Sequence, residues 1–103
     1  GTRDHANRGG EGATWEWRLG VFELTPPGDK FALVVDGADH FLGGMLCPAR
    51  GSGELDHEAF EIVAAASATF MDAYLKQDSI AQESFNNENI QTVTSGRAEL
   101  RSR

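Results

Sequence analysis

The stretch Lys30–His40, KFALVVDGADH, decides the fold. Phe31-Ala32-Leu33-Val34-Val35 is an unbroken apolar run, closed by Asp36-Gly37, and His40 stands three residues past the glycine. A short apolar run bounded by turn residues reads as a strand buried on both faces, the kind found in parallel sheets. The strand is predicted over 30–36. In open parallel sheets, ligands and catalytic groups gather in the crevice outside the carboxyl ends of the strands. A histidine just past such an end is therefore a functional candidate by position.

Working upstream, Pro26-Pro27-Gly28-Asp29 is a strong turn. It closes a helix predicted over 14–25, on which Trp15, Leu19 and Phe22 share one face. Residues 1–13 are glycine-rich and charged, without apolar periodicity, and read as a loop. Downstream, 37–54 is a long loop punctuated by Gly43-Gly44, Pro48 and Gly51-Ser52-Gly53. A long helix follows over 56–77, with Asp56 as N-cap and Leu55 and Phe60 as a hydrophobic staple. Phe60, Val63, Ser67, Phe70, Met71 and Tyr74 form its apolar stripe, while Ala64, Ala65, Ala66 and Ala68 permit close approach to a sheet. Ser79-Ile80-Ala81-Gln82 matches a capping box and starts a short helix that fades at Asn86-Asn87. The remainder of 79–103 carries no recognisable element.

The chain has 103 residues, 40% of them hydrophobic and 24% charged, the size and composition of one small globular domain. Its formal net charge of −7 argues against nucleic acid or an anionic membrane as partner, since both call for clustered Lys and Arg. The basic cluster Arg97, Arg101 and Arg103 reads as a solvated tail. No apolar stretch approaches the ~18 residues that cross a bilayer. Cys47 is the single cysteine, without an activating charged motif around it. It reads as a buried or semi-buried thiol rather than a nucleophile, and leaves the compartment open. The opening Gly1-Thr2 suggests a processed or partial sequence.

One strand is an unstable proposition. A strand of this composition demands neighbours on both edges, because buried N–H and C=O groups are paired in folded proteins. Either the C-terminal tail supplies a weak second strand or the rest of the sheet lies outside this sequence. The second alternative is the expectation.

A catalytic histidine needs a carboxylate to fix its tautomer and stabilise the imidazolium. Asp36 and Asp39 are too close in sequence to reach around to the imidazole and read as solvated or loop-capping groups. Asp4 lies in a small-residue turn 36 residues before His40, room for a loop, a short helix and one strand. That spacing would put Asp4 and His40 at the ends of neighbouring parallel strands.

Gly1-Thr2-x-Asp4, a helix, Pro27-Gly28-Asp29-Lys30, a hydrophobic strand, Gly37-Ala38-Asp39-His40 and Gly43-Gly44 together resemble the C-terminal third of an α/β-hydrolase. The closest likeness is to dienelactone-hydrolase-like and platelet-activating-factor-acetylhydrolase-like esterases. The helix ending Phe70-Met71-Asp72-Ala73-Tyr74-Leu75-Lys76 is similar to the last helix of that group, and the likeness covers roughly residues 1–85. It implies an α/β fold and a Ser-His-Asp triad with Asp4 as acid and His40 as base, in the superfamily's chain order of nucleophile, acid, histidine. It also implies a small-molecule ester substrate and no cofactor. Phe41 and Leu42, next to His40, read equally as lining of a substrate (acyl) pocket or as core. The Gly-x-Ser-x-Gly elbow is not in this sequence. Ser52 in Arg50-Gly51-Ser52-Gly53 has the wrong spacing and follows the histidine. The nucleophile and oxyanion hole are thus expected from the missing N-terminal part of the same fold.

Two other classes remain open from the residues. A small non-enzymatic α/β interaction domain would use the Phe60/Phe70/Tyr74 stripe, or Trp15 and Trp17, as a partner surface. A metal-binding module would draw on Asp4, His5, Asp36, Asp39, His40 and His57, although no His-x₃-His or Cys-x₂-Cys spacing is present.

Overall fold

The computed structural model describes residues 1–5, 14–50 and 53–103, so most of the predicted N-terminal loop and Ser52 lie outside the described residues. A 3-10 turn, Trp15–Leu19, runs into α1 (Gly20–Leu24). β1 (Phe31–Val35), α2 (His57–Tyr74), α3 (Ser79–Ser84), α4 (Asn87–Val93) and β2 (Ala98–Ser102) follow. The fold is mixed helix and strand around a two-stranded sheet. None of the helices described is long and apolar enough to cross a membrane.

The strand predicted as parallel pairs antiparallel instead, and its partner is the C-terminal segment. Phe31 stands opposite Ser102, Leu33 opposite Leu100 and Val35 opposite Ala98. The expectations of an elementless end and a solvated arginine tail are therefore corrected. β2 escapes a sequence reading because only Ala98 and Leu100 alternate inward, against Glu99 and Arg101 outward. Two apolar residues are a faint period-two signal. Backbone bonds from Asp36 N–H to the Arg97 carbonyl (2.8 Å) and from Arg103 N–H to the Lys30 carbonyl (3.2 Å) close the ladder at its two ends. The outer edge of β2 is capped by side chains: Asn87 Oδ1 accepts from Leu100 N–H at 2.9 Å, and Thr94 Oγ1 from Ala98 N–H at 3.1 Å. Such covering blunts an edge that would otherwise template another strand.

One face of the sheet carries the core. Val35 and Ala98 pack with Ala38, Leu42 and Ala59, all buried. Beside them Leu100, Ala66 and Phe85 form a second cluster with Phe31, Phe70 and Tyr74. Phe31 is the hub of that aromatic group, its ring centroid 5.0 Å from Phe85, 5.4 Å from Tyr74 and 6.0 Å from Phe70. Pairs at such distances add about 0.5–1.5 kcal/mol each beyond area burial.

Helix α2 meets the sheet through Ala59, Ala66 and Ala73, a heptad of small side chains that brings backbones close. This rotates the helix relative to the expected stripe: Val63, Phe70 and Tyr74 are half-buried, but Phe60, Ser67 and Met71 are exposed. Ala64, Ala65 and Ala68 also face outward. Asp56 does cap the helix, accepting from Ala59 N–H at 3.0 Å, while the expected staple residues Leu55 and Phe60 are both exposed. At α3 the cap is Asp78 rather than Ser79, because its Oδ1 accepts from both Ile80 and Ala81 N–H. Asn86, where the helix was expected to fade, instead caps α4 by accepting from Asn89 N–H at 2.9 Å.

The 15–24 segment is tied on largely through cations. Arg101 stands opposite Ala32, so alternation puts its side chain on the second face of the sheet, where it lies 5.8 Å from the Trp15 ring. Lys30 donates to the carbonyls of Phe22 and Thr25, and Arg103 to that of Glu23. Trp15, Leu19 and Phe22 are half-buried, while Trp17, Val21 and Leu24 are exposed.

Arg97 joins the beginning of β2 to the beginning of α2 by donating to Asp56 Oδ2 (2.6 Å) and to Glu58. Burial works against the Asp56 charge, yet the Arg97 hydrogen bond and the Ala59 N–H hold its carboxyl below the ordinary 3.8. A carboxyl lowered by folding contributes stability above its unfolded value and loses it as pH falls through the folded one. Urea midpoints are therefore expected to drop as pH falls below about 4, and to drop less in Asp56→Asn. Phe85→Ala is expected to cost about 3–5 kcal/mol in urea unfolding, and Phe60→Ala about 1 kcal/mol or less.

Candidate functional site

Two backbone segments meet at the carboxyl end of β1. Even-numbered residues of β1 bond toward β2, so Val35 directs its carbonyl to the opposite edge, where Thr2 N–H donates to it at 3.0 Å. Arg3 N–H then donates to the Ala38 carbonyl, also at 3.0 Å. Thr2 Oγ1 fastens the junction, accepting from Gly37 N–H at 2.7 Å and donating to Asp36 Oδ1 at 2.8 Å. Gly1 is required by close approach, since a Cβ there would stand 2.1 Å from the Ala38 carbonyl oxygen. The contacts of residues 1–3 deliver Asp4 beneath the loop that follows β1.

That loop is rigidly built. Asp39 Oδ1 accepts from Phe41 N–H (2.9 Å) and Gly43 N–H (2.8 Å), the loop-capping role expected of it. Leu42 adopts a left-handed φ of 52° and buries its side chain in the core, while its carbonyl accepts from Asp56 N–H at 3.1 Å. Of the two readings open for Leu42, its side chain takes the core one: the loop turns back at this residue to reach α2. Phe41 is half-buried and sets its ring edge-to-face with that of His40, centroids 4.8 Å apart.

Asp4 and His40, the two residues expected to pair, are brought together. His40 Nδ1 lies 2.9 Å from Asp4 Oδ2. The aspartate is buried, its side chain 7% exposed, whereas the histidine side chain is 50% exposed. An ionised carboxylate only accepts hydrogen bonds, so this contact assigns a proton to Nδ1. In the neutral ring Nε2 then carries the lone pair, and among the described residues it has no hydrogen-bond partner. A neutral imidazole with its back nitrogen held by a carboxylate and its front nitrogen free is arranged to accept a proton and to stabilise the cation that results.

Arg18 also reaches Asp4. Its Nε is 2.9 Å from the same Oδ2 that holds His40, while Asp4 Oδ1 is buried with no hydrogen-bond partner among the described residues. No motif marked this contact, because Arg18 reaches Asp4 across the segment between them rather than by a helical spacing.

The other metal-ligand candidates do not converge here. Asp36 is engaged by Thr2, and His57 opens α2. Among the described residues, no three His, Cys, Asp or Glu side chains gather where an ion could sit. Cys47 is half-buried. Compared with models of protein families, with curated proteins and with solved structures, the chain matches none.

The turn after His40 depends on Gly43. Its φ is 70°, and a Cβ there would lie 1.8 Å from the Glu54 carbonyl oxygen. Gly43→Ala combines a left-handed strain with a backbone clash. It is expected to lower unfolding stability by about 2–5 kcal/mol in urea and to displace the His40 resonances in NMR.

Proposed function

We propose that this chain carries the acid and the base of a serine-hydrolase triad and forms the C-terminal part of an α/β-hydrolase fold acting on carboxylic esters. The observation that carries the reading is the 2.9 Å contact between Asp4 Oδ2 and His40 Nδ1 across 36 residues of sequence. The order acid then histidine agrees with the superfamily's chain order. The β1 edge that receives Thr2 at its carboxyl end is also the edge on which an α/β-hydrolase sheet would continue. Exposed apolar side chains at Trp17, Val21, Leu24 and Met71 offer surface for the remainder of such a fold to cover.

The chemistry needs no cofactor. A serine hydroxyl from another segment of the fold would hydrogen-bond His40 Nε2 and attack the ester carbonyl as Nε2 takes its proton. The imidazolium so formed is stabilised by Asp4, which stays ionised. His40 then returns the proton to the departing alkoxide, leaving an acyl-enzyme. In the second half-reaction His40 deprotonates water, which attacks the acyl carbon, and the proton passes to the serine oxygen. Oxyanion donors belong to the same outside segment.

The exposed Trp17, Val21 and Leu24 also favour a second reading, a non-enzymatic α/β domain with a partner on that face. Phe70 and Tyr74, earlier candidates for such a surface, are committed to the chain's own core.

Under the hydrolase reading, residues 1–103 alone are expected to turn over no small aryl ester. In the complete polypeptide a fluorophosphonate probe is expected to label one serine outside these residues. His40→Ala is expected to lower kcat for the same ester by about three orders of magnitude or more and to suppress labelling. Robust turnover by residues 1–103 alone, or labelling indifferent to His40→Ala, would contradict the proposal.

A further inference from the structure

We infer that Arg18 is a positioning residue for the Asp4–His40 pair, selecting the carboxylate orientation in which one oxygen serves the imidazole. The inference rests on the reading of Asp4 and His40 as acid and base. Its starting point is an asymmetry: Arg18 Nε and His40 Nδ1 both lie 2.9 Å from Oδ2, while Oδ1 is buried and has no hydrogen-bond partner among the described residues. The His40 contact is a hydrogen bond and the Arg18 contact an ion pair, and both converge on Oδ2.

The terminal torsion of an aspartate is broad and close to two-fold, and by itself it does not choose which way the carboxylate is turned. A fixed positive charge beside Oδ2 makes that choice. Arg18 suits the task because its guanidinium stays charged. It is also delivered by a segment that is itself held down. Trp15 lies under the Arg101 guanidinium, and Lys30 binds the Phe22 and Thr25 carbonyls, so Arg18 sits on a turn fixed on both sides. The guanidinium and the imidazole reach one nearly buried carboxylate from the half-exposed side, and the placement of the 15–24 segment is thereby coupled to the orientation of the His40 ring.

The test is ring-nitrogen NMR on ¹⁵N-labelled residues 1–103 at a pH where the imidazoles are neutral, with His5 and His57 as internal references. Wild type is expected to show His40 protonated at Nδ1, with a pyridine-like Nε2. Asp4→Asn is expected to move His40 to the Nε2–H tautomer. Arg18→Gln, which removes the charge, is expected to remove at least half of the Nδ1–H population, and Arg18→Lys, which keeps the charge but shifts its position, to fall between Arg18→Gln and wild type. The His5 and His57 signals and the amide dispersion should stay constant; if Arg18→Gln loses dispersion, Arg18→Lys carries the test. Wild-type tautomer populations in folded Arg18 variants would overturn the inference while leaving the acid–base pair intact. An unchanged His40 tautomer in Asp4→Asn would overturn the pair itself and the inference with it.

Discussion

The pairing of β1 with β2 is the constraint on which everything else hangs. β1 is too apolar to stand alone, and its backbone needs a partner that the intervening helices cannot provide. β2 supplies it from the far end of the chain, with Val35 opposite Ala98 and Leu33 opposite Leu100. Closing a ladder between residues about seventy positions apart costs loop-closure entropy. Burial of Phe31, Leu33, Val35 and Leu100 against α2 and Phe85 offsets that cost. Arg97 adds a polar fastener where β2 begins, binding Asp56 at the cap of α2. Sheet and long helix are thus joined at the end of the molecule where the histidine loop lies.

The candidate site inherits its geometry from that frame. With β1 fixed, its even-numbered backbone groups are used by β2, and the Val35 carbonyl is left facing the other edge for Thr2. From there Thr2 and Arg3 lead to Asp4, while Asp39, Leu42 and Gly43 shape the loop carrying His40. Neither side of the Asp4–His40 contact is a flexible excursion. Each residue stands within a few positions of a backbone bond to β1 or to the start of α2.

Legibility in the sequence followed the strength of the local signal. Phe31 to Val35 is a dense apolar run, Asp56 precedes an uninterrupted helical pattern, and Pro26-Pro27 marks a turn, and each of these positions could be read directly. β2 could not, because Ala98 and Leu100 are two small signals beside the charged Glu99 and Arg101, and their meaning lies in Leu33 and Val35 across the sheet. The rotation of α2 was also hidden: alanine carries little weight in a hydrophobic pattern, yet Ala59, Ala66 and Ala73 win the buried face because they let the helix approach. Leu42 next to the histidine read equally as pocket or core, and a left-handed turn sends it to the core. For the site, the sequence supplied two residue types at a plausible separation. The shared Oδ2 contact with Arg18 arose only when the 15–24 segment was packed in place.

The account turns on whether Asp4 and His40 interact in solution. The most direct measurement is a double-mutant cycle with Asp4→Asn, His40→Gln and the pair, using urea unfolding at a pH where the imidazole is charged. A coupling energy of about 1 kcal/mol is expected, below the ~1.5–3 kcal/mol of a hydrogen bond to a charged group because the His40 side chain is half-exposed. Effects of the two substitutions that add to within about 0.3 kcal/mol would contradict it.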